Sequence, residues 1–392
     1  PQASVPTGGG VSEAGNWHRM RRRDMVAKHP ELRELEREDW RGGALLLAAN
    51  ALQLYLAVFS RTLPWLSVAA LAITAGATLS LWQLTLMHDV VHGNVCKSSR
   101  LRTFLMWAGS FPCVFGYFLY LQFGHLSHHN KMGGHTMAEL FSSDKDGFED
   151  GDILFVTHRS NIDGAKGPTP PPPLDKVLPK DTVVNVAYQI FRSMWREGQP
   201  YRNMAAYCFS MLAERLVLVV SDKITALTGF SGFFPNKPPS FHSAASNHAR
   251  LSALFQFGLV YLFGWKPLFF LYLAECAWSL PVHPACAMFV TNHGSFESQK
   301  GFGLGAEGTC QPSRSTYIGG WFDLLCCNTN YHMEHHDMPN VPVLAVPKIS
   351  QIAPEFFGPE RVSSARKIWP TVLETFHAPS YYSCMGATGP LP

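Results

Sequence analysis

Charge is scarce in this 392-residue chain: Asp, Glu, Lys and Arg make up 16% of it, against 46% hydrophobic residues. About a quarter charged is usual for soluble domains, so the composition speaks against an ordinary water-coated globule. The net charge of +3 is too small to argue for nucleic acid, and no alternation of basic and aromatic residues or binding motif supports it. The nine cysteines contain no Cys-x-x-Cys pair. Cys96, Cys113, Cys208, Cys276, Cys286, Cys326 and Cys327 sit mostly in apolar surroundings and read as small core residues, not as a disulfide framework or zinc ribbon. A His-Pro-Gly-Gly haem element is missing, so no fused haem domain is indicated. Gly301-Phe302-Gly303-Leu304-Gly305 lacks a preceding strand and a following helix, which discounts a nucleotide loop. No cleavable signal is visible in the polar, glycine-rich start.

Long apolar runs are present instead. Residues 43–60, 65–86, 247–264 and 267–290 are the expected spans, each of roughly the length a bilayer requires. They pair as two hairpins around the punctuation at Arg61 and Pro64 and at Gly264-Trp265-Lys266-Pro267. Residues 1–16 lack periodicity and read as disordered, and residues 17–42 as a charged amphipathic segment on the membrane surface, broken at Pro30. Arg19, Arg21, Arg22 and Arg23 precede the first span and mark that side as cytosolic. Residues 43–392 then form one membrane domain, with a cytosolic loop and proline-rich insert at about 157–204. Residues 204–227 are interrupted by Glu214, Arg215, Asp222 and Lys223 and suggest an interfacial helix rather than a span.

Eight of the 17 histidines fall in three short boxes: His88-Asp89-Val90-Val91-His92, His125-Leu126-Ser127-His128-His129 and His332-Met333-Glu334-His335-His336. Residues i, i+3 and i+4 share a helix face, so each box can aim its imidazoles at one point. Iron, zinc and copper all accept imidazole. A structural zinc closes its shell with four ligands; eight imidazoles suffice for two ions with open positions. Convergence also requires all boxes on one side, so residues 104–123, apolar but containing Pro112, should form a re-entrant or interfacial segment. Asp89 and Glu334 lie inside boxes and are candidates to orient the imidazoles from behind; a solvated helix face is the alternative for both. His293 ends the last apolar run and is a candidate ninth ligand, or an ordinary interfacial histidine, with Asn292 as a water-mediated partner. His283, followed by Pro284, suits a structural role. His135, His158, His242, His248 and His377 lack partner spacing and read as loop histidines. The expected fold is an all-α membrane protein with four transmembrane helices in two hairpins, interfacial or re-entrant helices, and a cytosolic helical cap carrying a histidine-ligated di-metal site.

The three boxes in this order resemble the membrane fatty acid desaturase and hydroxylase superfamily. More narrowly, the stretch from Asn330 through the third box to Met338-Pro339-Asn340-Val341-Pro342 is similar to sphingolipid delta-4 desaturases. So are Lys348-Ile349-Ser350-Gln351-Ile352-Ala353-Pro354-Glu355-Phe356-Phe357, Val282-His283-Pro284, and the N-terminal stretch from Arg21 to Glu31. Met288 stands where that family carries a further histidine. The resemblance implies an endoplasmic reticulum enzyme with two iron ions ligated by His88, His92, His125, His128, His129, His332, His335 and His336; zinc can occupy such sites in a purified sample. It implies O2 as oxidant, electrons from NADH through a reductase and cytochrome b5, and a trans C4–C5 double bond made in dihydroceramide. Hydroxylation at C4, or desaturation of an acyl lipid at another position, is the alternative within the enzyme class. A metal-binding membrane receptor or transporter is the alternative outside it; such a protein places ionisable groups along its spans near the midplane.

Overall fold

The computed structural model describes residues 13–114, 125–126, 129, 198–231, 238–292, 313–359, 361–362 and 364–377. The described residues are helical, apart from turns and one isolated bridge between Thr316 and Ala365. Residues 1–12 of the expected disordered start, most of the proline-rich insert, His128 and His293 lie outside them, whereas residues 13–16, also expected to be disordered, are helical.

α1 (Glu13–Lys28) stops before Pro30, which opens a short 3-10 turn, Pro30–Leu35. Asp39 then caps α2 (Trp40–Ser60) by accepting the backbone N–H of Arg41. The 21 residues of α2 extend about 32 Å at the standard rise, enough to cross a bilayer. After Pro64 the chain returns through α3 (Trp65–Leu71), a π-helical turn (Ala72–Gly76) and α4 (Ala77–His92), 28 residues without a break. α4 ends on Gly93, whose φ of 76° is costly for other residues, immediately after His92.

α5 (Ser99–Ser110) ends ahead of Pro112, where the sequence places a break. Val114 beyond it is held inside the bundle: its N–H donates to Glu275 at 2.8 Å and its C=O accepts from Gln256 at 3.1 Å. Those acceptors and donors come from α8 (Trp265–Ala277) and α7 (Pro239–Phe263). α8 packs against α2, the π-turn and α4, and α7 lies between α8 and α6 (Pro200–Thr228).

By length and composition three described helices can cross a membrane: Trp40–Ser60, Trp65–His92 and Pro200–Thr228. This differs from the four expected spans in three places. The run 267–290 is not one helix: α8 stops at Ala277, turns containing Pro281 and Pro284 follow, and α9 (Cys286–Thr291) resumes for only six residues. Each proline lacks an N–H and clashes with the preceding turn. The run 204–227, expected at the interface, is a long continuous helix whose Arg215 and Asp222 turn inward and are buried. α7 falls short on mean hydropathy, yet its polar residues Ser246, His248, Ser252 and Gln256 are buried while Leu254, Phe257, Tyr261 and Leu262 are exposed. An apolar exterior over a polar interior is the reverse of a water-facing helix and suits lipid.

A helical cap covers the histidine-bearing end: α10 (Gly320–Leu325), α11 (His332–Asp337), α12 (Pro347–Ile352) and α13 (Ile368–His377). α1 joins it, with Met25, Val26 and Leu32 packed on Met333, Met338, Val341, Ile349 and Phe356.

Candidate metal centre

Each box meets the others through a different element. His88 and His92 occupy the last turn of α4, and His335 lies on α11. Contacts from α4 and the turn after it to the segments on either side of α11 set their register. Thr85 and Thr329 share a hydroxyl hydrogen bond of 2.6 Å, and Trp82 Nε1 donates to Leu324 O at 3.0 Å. Asn94 Nδ2 reaches Pro339 O and Val341 O at 3.0 and 3.2 Å.

The outcome is convergence. His88, His92, His125, His129 and His335 bring one ring nitrogen each to within 4.8 Å of all the others. The Nε2 atoms of His92 and His125 are 3.1 Å apart, those of His125 and His129 2.9 Å, and those of His129 and His335 3.1 Å. A neutral imidazole nitrogen either donates or accepts, so hydrogen bonding alone would need bifurcated bonds at both His125 and His129. Imidazole binds a first-row ion at about 2.0–2.1 Å, which places neighbouring ligands about 3.0–3.4 Å apart. The donor set therefore fits a metal. His336 and His332 flank the five: the His336 ring is 4.3 Å from that of His129 and 4.5 Å from that of His332. The whole cluster is consistent with a di-metal site.

A cavity opens onto this cluster. Its walls are largely apolar, with Leu81, Leu84, Trp278, Met288, Phe289, Val343 and Val346, and His88, His125, His332 and His335 close one end. Asn292 also lines it, and its Oδ1 is buried with no hydrogen-bond partner among the described residues.

The fatty acid desaturase family model matches residues 181–365, a stretch that includes the third box. Over that stretch the chain is similar to the fatty acid desaturase family. A sphingolipid delta(4)-desaturase DES1-like protein of Oryza sativa subsp. japonica is 23% identical over 343 residues, covering 87% of this chain and 81% of its own length. The sphingolipid delta(4)-desaturase DES1 of Gallus gallus is 24% identical, covering 87% of this chain and 82% of its own length. The sphingolipid delta(4)-desaturase/C4-monooxygenase DES2 of Bos taurus is 24% identical, covering 91% and 88%.

The two carboxylates inside the boxes accept hydrogen bonds from groups other than the box imidazoles. Asp89 Oδ1 accepts from Asn94 Nδ2 at 2.9 Å and from the Val343 N–H at 3.1 Å. Glu334 accepts from Ser315 Oγ at 2.6 Å and from the Tyr317 hydroxyl. Burial raises the Glu334 pKa, against the hydrogen bonds of Ser315 and Tyr317, which lower it. A carboxylate that does hold a buried histidine is Asp337, 2.7 Å from His18 Nδ1; sequence spacing offered no signal for a partner 319 positions away. His242 and His248 are not loop residues: both are buried on α7, where His242 Nδ1 accepts the Ser231 N–H at 3.1 Å. His283 is buried in the turn after α8, its Nδ1 accepting the Ala285 N–H at 3.3 Å. Cys326 and Cys327 are buried in apolar clusters, as expected of core residues.

Proposed function

We propose that this protein is an O2-dependent di-iron desaturase of the endoplasmic reticulum membrane, which introduces a trans C4–C5 double bond into the sphingoid chain of dihydroceramide. The observation that carries the reading is the apolar cavity ending on His88, His125, His332 and His335. Support for the lipid class comes from relatives named sphingolipid delta(4)-desaturases, alignable over most of their length.

His88, His92, His125, His129 and His335, with His332, His336 and His128, are the proposed ligands; His293 is a proposed ninth. Bound there, iron would supply the oxidising power to take two hydrogens from the chain, with O2 reduced to two waters by those two hydrogens together with two protons and two electrons delivered from NADH through cytochrome b5 and its reductase. The protein's part is positional. Leu81, Leu84, Phe289 and Val343 hold the alkyl chain and exclude water, while Asn292 Oδ1 offers an acceptor to a hydroxyl or amide N–H on the lipid. The closed end of the cavity then decides which carbon–carbon bond lies nearest the histidines.

C4-hydroxylation is the second reading, favoured by the name of the Bos taurus relative, a desaturase/C4-monooxygenase. Both outcomes begin with hydrogen removal at the same region of the chain. Expression in a host lacking sphingolipid desaturation, with dihydroceramide supplied, separates them by mass spectrometry. Loss of two hydrogens supports desaturation, and gain of one oxygen supports hydroxylation. Neither product from iron-loaded protein with a working electron supply would overturn the sphingolipid assignment. A receptor or transporter would consume no oxygen under the same conditions.

A further inference from the structure

Asp337 follows the third box directly and its side chain is fully buried. It receives two residues of α1: His18 Nδ1 at 2.7 Å, and Arg21 Nε at 3.2 and 3.0 Å from its two oxygens. Arg21 also donates to Phe356 O at 3.0 Å and stacks over Trp17 and Phe357, so it cannot swing away without breaking the cap. His18 is 3% exposed and its Nε2 meets Ser313 Oγ at 3.1 Å. Its ring lies 5.1 Å from that of His336, tilted by 33°.

A buried histidine on an N-terminal helix could be mere filling. Here both ring nitrogens have specific partners, and one is the carboxylate next in sequence to His336. A carboxylate behind an imidazole fixes its tautomer and ring plane. With Nδ1 carrying the proton toward Asp337, the His18 face is held against the His336 face, and rotation of His336 away from His129 and His332 meets a fixed wall.

We propose that His18 and Asp337 form a positioning pair that sets the ring orientation of His336, which makes α1 a working part of the metal centre. The pairing rests on reading the histidine cluster as a metal site. The residues of α1 are over two hundred positions from any other contributor except those of the first two boxes, so the pair also makes metal retention depend on docking of the chain's beginning.

The test uses the full chain, purified in detergent and loaded with ferrous iron. Metal per chain is measured by mass spectrometry, and iron release to a chelator is followed over time. His18→Ala is expected to release iron about 10-fold faster or more, the lower end of what loss of such outer partners costs, with helical content unchanged. His18→Phe, which keeps the ring and removes both hydrogen bonds, is expected to do the same even if the alanine variant folds poorly. Met20→Ala, exposed on the same helix, is expected to release iron at the wild-type rate. Wild-type release from His18→Phe would overturn the pairing, and so would equal acceleration by Met20→Ala. A wild-type chain that takes up no iron would overturn the metal reading itself.

Discussion

Asp89 on α4 and Val343 beyond the third box are joined by a hydrogen bond of 3.1 Å across 254 residues. The same carboxylate oxygen takes Asn94 Nδ2, which in turn holds Pro339 O and Val341 O. Asp89→Ala takes the acceptor from the buried Val343 N–H, at about 1–3 kcal/mol for a group left unsatisfied, while Asn94 Nδ2 keeps its two carbonyls. Thermal unfolding should drop accordingly and metal content should fall with it. Asp89→Asn keeps an acceptor oxygen and should lose less on both measures.

His335→Ala should abolish product formation and lower bound metal by at least an order of magnitude, while membrane insertion stays intact. Its ring nitrogen is one of five within a single 4.8 Å group, and a lost ligand should cost at least as much as the 10–100-fold typical of outer partners. His377→Ala, at the exposed end of α13, should behave as wild type. Retained metal in His335→Ala would remove it from the ligand set.

Filling the cavity should separate substrate from metal. Leu84 lines it without belonging to the histidine cluster. Leu84→Trp should leave iron content unchanged and reduce kcat/KM by roughly 10-fold or more, since a few misplaced carbons in an apolar pocket cost about 1–3 kcal/mol. An unchanged kcat/KM would show that the lipid takes another path.

Two glycines should respond oppositely to alanine. A Cβ on Gly76 would stand 2.8 Å from Phe270 Cζ and 3.0 Å from Ala274 Cβ, at the crossing of the π-turn with α8. Overpacking there should cost about 1–3 kcal/mol. A Cβ on Gly258 meets nothing within 4 Å, so Gly258→Ala should be neutral or mildly stabilising through helix propensity. Unfolding temperatures of the two variants in detergent check the ordering.

Glu355 ties α1 to the cap. Hydrogen bonds from His29 and Lys28 hold its pKa down from 4.5 to about 2. Because the folded value lies below the unfolded one, its contribution is complete above about pH 4.5 and is lost as pH falls toward 2. Glu355→Gln should therefore loosen α1 at neutral pH, and the difference from wild type should shrink across that acid window. Protease susceptibility near Lys28 reports it.

The local patterns were readable without coordinates. Histidines at i, i+3 and i+4 announce a shared face, the apolar runs that became α2 and α3–α4 announce crossings, and Pro112 announces a break, because each depends on residues a turn or two apart. Other features rest on contacts between distant segments, and these the linear pattern could not convey. Arg215 and Asp222 make residues 204–227 look interfacial until the bundle is seen to bury both. Likewise, Asp89 and Glu334 look like imidazole partners, whereas the fold turns them to Val343 and to Ser315, and Asp337 takes His18, which lies outside the three boxes. Composition and spacing thus determined that histidines would gather at the ends of apolar helices. Which partners the nearby carboxylates take was decided only when packing brought α1 and α11 together, since a hydrogen bond depends on distance in space and is blind to separation along the chain.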